Sequence, residues 1–148
     1  MSEGSISFLE MRTEAVVGSI RVLNDLLGVT LTALGVDEAL RHDLALGLAE
    51  LVANVCEHEY AAEGDDGEGV SISLDARTGD LLLTVSSGGS PFDLEGALAR
   101  AADRDPLADL DGNGLGLPLL AGLFDAISND YHPDRGNRIT LRKERWRG

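Results

Sequence analysis

The sequence predicts an α+β fold in one domain, with a mixed, mainly antiparallel sheet and helices on one face. Two observations carry this prediction. Segments with strand-like and helix-like periodicity follow one another in the order strand, helix, helix, hairpin, helix, helix, hairpin. The 148 residues, 43% of them hydrophobic, also suffice for one buried core without a second domain.

The first half of the chain supplies a strand and two helices. Residues 5–11 alternate loosely, as strands do, and residues 14–34 carry apolar side chains at helical spacing. Asp37 is predicted to cap the second helix, because its carboxylate accepts N–H bonds from the first helical turn. We expect that helix to continue to about Tyr60.

The second half supplies two hairpins with helices between them. Residues 70–75 alternate with period two, residues 77–80 form a turn, and residues 81–85 return as a more buried strand. Residues 94–102 and 115–124 are predicted to be helical. Residues 126–131 and 138–143 are predicted to pair as the closing hairpin.

Charge and cysteine usage narrow the class of partner and the compartment. Twelve basic and twenty-six acidic residues give a net charge of −14, which repels nucleic acid and anionic membrane surfaces. The sequence has no apolar span of membrane length and no N-terminal signal pattern. Its single cysteine, Cys56, cannot form an internal disulfide. We therefore expect a cytoplasmic protein that binds neither nucleic acid nor membranes.

A narrow polar stripe on the second helix is the first candidate site. Glu50 and Asn54 are four residues apart, so they share one face of a helix whose other faces are largely apolar. A carboxylate and an amide on such a seam are expected to border a cavity, where the carboxylate is a candidate general base and the amide a candidate metal ligand. The alternative is the solvated edge of an amphipathic helix.

A glycine-rich loop is the second candidate element. Gly112-Asn-Gly-Leu-Gly-Leu117 opens a predicted helix, so its backbone N–H groups and the helix dipole are available to phosphate oxygens. The loop lacks the lysine of a P-loop and does not follow a strand closely, so neither the P-loop nor the dinucleotide fingerprint applies. Between the two elements lies Ser87-Gly-Gly-Ser-Pro-Phe-Asp93.

These segments, in this order, resemble the motifs of the ATPase superfamily shared by gyrase, the ninety-kilodalton heat-shock chaperone, sensor histidine kinases and MutL (GHKL). Residues 50–60 resemble its helical box, residues 87–93 its Asp-x-Gly-x-Pro-Phe-Asp loop, and residues 112–117 its second glycine box. Residues 136–140 are similar to its closing hairpin. Within the superfamily, the chain most resembles the short anti-sigma-factor serine/threonine kinases.

The resemblance implies a single histidine-kinase-like ATPase domain over residues 1–148, with a two-layer Bergerat-type ATP-binding fold. It implies that Glu50 is the base acting on the acceptor hydroxyl and that Asn54 holds a Mg²⁺ ion that bridges the phosphates of ATP. It implies that Thr140 helps to hold the base. His58, one further turn along the helix, faces the acidic segment of residues 103–113, a candidate lid, or is a neutral structural histidine. The nucleotide-binding set implied in this way is Asn54, His58, Ser87, Gly89, Asp93, Gly112, Asn113, Gly114, Leu115, Gly116, Leu117 and Thr140.

The function implied by the resemblance is regulation of transcription by partner switching. A kinase of this type binds a sigma factor and phosphorylates a serine or threonine of a small antagonist protein, the anti-anti-sigma factor. Homodimerisation is implied by the resemblance alone.

Ser87 is where the chain departs from the motif. The family places an aspartate there, whose carboxylate accepts a hydrogen bond from the exocyclic amine of adenine. A serine hydroxyl is shorter and uncharged, and losing a charge-assisted bond costs about 1.5–3 kcal/mol. The rival interpretation is therefore a non-catalytic partner-binding module of the same fold with impaired nucleotide binding.

Overall fold

The computed structural model describes residues 5–13, 18–55, 69–88, 116–133 and 136–146. Within these ranges it has five strands and three helices. The strands are β1 Ile6–Thr13, β2 Val70–Arg77, β3 Asp80–Ser87, β4 Ala126–His132 and β5 Gly136–Lys143. The helices are α1 Ser19–Ala33, α2 Glu38–Asn54 and α3 Gly116–Leu123.

The predicted order of elements is confirmed wherever the structure describes it. Each predicted strand is present, with ends that differ from the prediction by a few residues. The predicted helix at residues 94–102 and the extension of α2 to Tyr60 lie outside the described residues.

The five strands form one sheet in the order β1-β2-β3-β5-β4. All four pairings are antiparallel, so the described sheet has no parallel pair where the sequence allowed a mixed one. The β2–β3 hairpin turns on Thr78 and Gly79, which both have positive φ angles, of 49° and 90°. Two such residues are what a tight hairpin turn with the right-handed twist of its strands requires.

The two faces of the sheet differ in chemistry because side chains alternate along each strand. The face toward the helices carries the fully buried rows, for example Leu74, Leu83 and Leu141, which pair across three neighbouring strands. The opposite face carries hydroxyl side chains, among them Thr84 and Thr140. The core of the domain therefore lies between one sheet face and the helices.

Helix α2 comes unusually close to the sheet at Gly47. A Cβ atom built on Gly47 would lie 2.5 Å from Cδ1 of Leu141 on β5 and 3.6 Å from the ring of Phe124. Gly47 is itself buried, as are Leu44, Leu48 and Leu51 around it. The missing side chain thus leaves room for Leu141 of β5 and for the ring of Phe124 against the helix.

The two ends of the described chain also meet. The rings of Phe8 on β1 and Trp146 after β5 pack edge to face, with their centroids 6.4 Å apart and an interplanar angle of 73°. Trp146 is 7% exposed, so this contact belongs to the core. Within the described ranges, none of the helices combines the length and apolar character that spanning a bilayer demands.

Two helical glycines give a matched test of this packing. Gly28 in α1 has no atom within 4 Å of an added Cβ, so Gly28→Ala should stabilise the protein by about 1 kcal/mol through helix propensity. Gly47→Ala gains the same propensity but overpacks Leu141, at a cost of about 1–3 kcal/mol, so it should give no gain or a loss. Thermal unfolding measures both variants. A Gly47→Ala protein as stable as the Gly28→Ala protein would contradict the close packing.

Candidate functional site

The start of α2 is defined by its N-terminal cap. Asp37 has an extended backbone, and its Oδ1 accepts a hydrogen bond of 2.8 Å from the backbone N–H of Leu40. This confirms the predicted cap and sets the register of the helix. With that register, Leu44, Leu48 and Leu51 are completely buried against the core.

Glu50 and Asn54 lie on the seam that this register leaves between core and surface. Both residues are half-buried, and their spacing places both side chains on one face of α2. Glu50 follows Gly47 by three residues, so it lies about one helical turn from the contact with Leu141. The carboxylate is thus carried by a rigid, well-packed part of the helix, which is what a base of fixed geometry needs.

The side-chain amide of Asn54 is the second polar group on this seam. Its Nδ2 position is buried and has no hydrogen-bond partner among the described residues. An unsatisfied buried polar atom costs about 1–3 kcal/mol, so its presence calls for a reason. The two ends of an amide exchange by a half-turn, which allows the same buried position to present an oxygen to a cation. The chemistry of Asn54 therefore fits a ligand of Mg²⁺.

Magnesium at Asn54 would depend on the nucleotide for most of its ligands. Among the described residues, no three His, Cys, Asp or Glu side chains are grouped closely enough to hold a metal ion. Mg²⁺ in nucleotide sites is commonly held by one or two protein oxygens, phosphate oxygens and water, so a single amide from the protein is compatible with such a site.

Ser87 is the last residue of β3, and its side chain lies on the face of the sheet that packs against the helices. It continues the alternation of Leu83 and Val85, which face the core, and it is only 5% exposed. Its neighbour across the sheet is Asn137 on β5, which is 1% exposed. Directly opposed side chains have Cβ atoms about 4.5–5.5 Å apart, so the hydroxyl and the amide form one buried polar pair.

Asn137 is the residue that the sequence interpretation missed. It lies in the closing hairpin, two residues before the buried Ile139, so strand alternation places it on the core face. A polar residue in a position where the pattern calls for an apolar one was the available signal. Together, Ser87 and Asn137 put two neutral polar side chains at the end of β3 on the core face of the sheet.

Thr140 does not lie where its expected role requires. Its neighbour Leu141 approaches α2 at Gly47, so Thr140 projects from the opposite face of β5. On that face the hydroxyl oxygens of Thr140 and Thr84 are 3.2 Å apart. The sheet thus separates Thr140 from the helix that carries Glu50, and we no longer assign Thr140 to the base or to the nucleotide.

The rest of the expected nucleotide-binding set can be placed only in part. Gly116 and Leu117 lie in α3, which agrees with the helix predicted over residues 115–124. The other members, His58, Gly89, Asp93, Gly112, Asn113, Gly114 and Leu115, lie outside the described residues.

Comparison with known proteins gives one family and several related folds. A family model described as "Histidine kinase-like ATPase domain" matches residues 12–143. No relative was found among the curated proteins.

Two solved structures share the fold at low sequence identity. The RsbU and RsbW domains of Rv1364c from Mycobacterium tuberculosis superpose with a TM-score of 0.64 at 18% identity, over 92% of this chain and 32% of that one. The SiaB–SiaC complex from Pseudomonas aeruginosa superposes with a TM-score of 0.63 at 16% identity, over 93% of this chain and 88% of that one. The chain thus spans about a third of the first of these proteins.

The family model covers the capped helix with Glu50 and Asn54, the end of β3 with Ser87, and helix α3. The antiparallel sheet with helices on one face is the fold that the superfamily resemblance implied. The chain therefore belongs to the histidine kinase-like ATPase domain family.

Proposed function

We propose that this protein is an ATP- and Mg²⁺-dependent serine/threonine protein kinase of the anti-sigma-factor type, acting in the cytoplasm. The observation that carries the proposal is the Glu50–Asn54 pair on α2. One side chain is a half-buried carboxylate suited to a base, and the other has a buried amide position without a partner among the described residues. Family membership supplies the nucleotide class for which this pair is suited.

In the proposed reaction, Glu50 accepts the proton of a serine or threonine hydroxyl on a protein substrate. The hydroxyl oxygen then bonds to the γ-phosphorus of ATP, the bond from that phosphorus to the β–γ bridging oxygen breaks, and ADP leaves. Asn54 would hold Mg²⁺, whose charge offsets that of the phosphates. The backbone at the start of α3 would bind phosphate oxygens.

The proposed partners are a sigma factor and a small antagonist protein that receives the phosphoryl group. Support comes from the fold shared with an RsbW domain and with the SiaB–SiaC complex, the second of which is an assembly of two proteins. The net charge of −14 suits protein partners with basic surfaces better than nucleic acid. A homodimer is part of the proposal only through the family resemblance.

A second candidate function is a non-catalytic binding module, and Ser87 is the observation that favours it. The position that would read adenine carries a buried hydroxyl instead of a carboxylate. Calorimetric titration of the purified protein with ATP and Mg²⁺ separates the two functions. Saturable binding supports the kinase, and no binding at millimolar ATP supports the module.

The first prediction from the proposed function concerns Glu50, the proposed general base. Glu50→Ala and Glu50→Gln should each lower phosphoryl transfer to the cognate antagonist by about 10²–10⁴-fold, because general-base catalysis contributes that much. Affinity for ATP should change by less than about threefold, since the base acts on the acceptor and not on the nucleotide. Radiolabel transfer and calorimetry measure the two quantities. Glu10→Gln is the matched control, because Glu10 is an exposed glutamate on β1. Wild-type transfer by both Glu50 variants would remove the residue from the mechanism.

The second prediction separates function from stability at Asn54. Asn54→Leu removes the unsatisfied buried amide, so the melting temperature should stay the same or rise. The same change should abolish the part of ATP affinity that depends on Mg²⁺. Thermal unfolding and titrations with and without Mg²⁺ test both statements. A large loss of stability would mean that the amide is structural.

The third prediction concerns the base-reading position. Ser87→Asp should tighten ATP binding by roughly ten- to a hundredfold, following the 1.5–3 kcal/mol range for charge-assisted bonds. GTP should not gain, because guanine presents a carbonyl oxygen where adenine presents its amine. A carboxylate at this buried position should also lower the stability of the nucleotide-free protein.

Ser86→Asp is the control for that variant. Ser86 is the residue before Ser87 in β3, and its side chain lies on the opposite face of the sheet. It should leave ATP affinity unchanged. If Ser87→Asp also leaves ATP affinity unchanged, Ser87 does not read the base, and the non-catalytic module becomes the better function.

A further inference from the structure

Gly136, the first residue of β5, lies directly against the end of β3. It has a φ angle of 78°, a conformation that L side chains rarely adopt. It pairs with His132 in the β4–β5 hairpin, and the next residue, Asn137, pairs with Ser87. The hairpin therefore begins beside the residue that the proposed function assigns to the nucleotide base.

A side chain at Gly136 has no room. A Cβ atom built there would overlap the carbonyl oxygen of Ser87 and would lie 2.8 Å from Cα of Gly88 and 2.9 Å from the carbonyl carbon of Ser87. All three are backbone atoms, so no rotamer change can relieve the overlap. Either the Ser87–Gly88 segment or the start of β5 would have to move.

The other glycine with positive φ in a hairpin is different. Gly79, in the β2–β3 turn, has a φ angle of 90°, yet no atom lies within 4 Å of an added Cβ. The two glycines therefore share the backbone requirement and differ in the close contact. Gly136 has a second reason to lack a side chain, and that reason is the backbone of Ser87 and Gly88.

We propose that Gly136 is a positioning residue of the nucleotide site, which allows the Ser87–Gly88 backbone to lie against the closing hairpin. This inference rests on the proposed function, because it takes Ser87 as the base-reading position. Ser87 and Asn137 are buried to within a few per cent, so a shift of either backbone changes where their polar groups point. One added carbon atom at Gly136 should therefore weaken nucleotide binding without touching the nucleotide.

The experiment compares two substitutions at the two glycines. Gly136→Ala and Gly136→Asn both introduce a Cβ, but asparagine tolerates positive φ far better than alanine. Gly79→Ala and Gly79→Asn are the matched controls. Both Gly136 variants should lose ATP affinity by about tenfold or more and shift the amide resonances of Ser87 and Gly88, whereas both Gly79 variants should bind ATP within about twofold of the wild type.

The asparagine variant decides between strain and overlap. If Gly136→Asn binds ATP like the wild type, glycine is required at this position only for its positive φ angle, and the inference is overturned. Unchanged Ser87 and Gly88 resonances in both Gly136 variants would overturn it as well, with or without nucleotide.

The unaltered protein provides a measurement that does not depend on whether the variants fold. Titration with ATP and Mg²⁺ should shift the amide resonance of Gly136 together with those of Ser87 and Gly88 and should leave that of Gly79 in place. A Gly136 resonance that stays in place while Ser87 shifts would also overturn the inference. If the wild type binds neither ATP nor GTP, the proposed function fails. The Ser87 and Gly88 resonances of the Gly136 variants then show by themselves whether Gly136 positions this segment.

Discussion

The close contact of Gly47 on α2 with Leu141 on β5 is the constraint that links the core of this domain to its candidate site. Gly47 removes the side chain that would hold the helix away from Leu141 and Phe124. The same contact joins the helix, the closing hairpin and the segment after α3. Because Glu50 follows Gly47 by one turn, the packing that stabilises the core also fixes the candidate base. The contact between Gly47 and Leu141 therefore contributes both to the stability of the core and to the position of Glu50.

The alternation of side chains gives the sheet one face that packs against the helices and one outer face. Ser87 and Asn137 continue the buried rows of the core, so their polar groups lie on the side of the helices. Thr140 and Thr84 meet on the outer face. A shift of one residue in register would exchange these sets, which is why the closing hairpin matters for the site as well as for the fold.

The candidate site combines buried polar groups that cost stability with rigid elements that hold them. The buried amide position of Asn54 is unfavourable in isolation. Functional sites commonly retain such costs, since a ligand recovers them on binding. In the proposed site, Ser87 would offer adenine a hydroxyl hydrogen bond without the charge of the aspartate that the motif resemblance places there.

The sequence by itself determined the order of elements, the Asp37 cap and the pairing of Glu50 with Asn54, because these follow from local periodicity and from spacing within one helix. It also predicted the helix that follows the glycine-rich segment, of which Gly116–Leu123 is described. Only the tertiary structure decided which residues of different strands are neighbours. The motif resemblance predicts Thr140 in the site, but strand alternation places it on the outer face of the sheet with Thr84, and Asn137 lies beside Ser87. The contact of Gly136 with Ser87 likewise joins residues far apart in the chain. A local sequence pattern does not predict how close two such residues come in the folded protein.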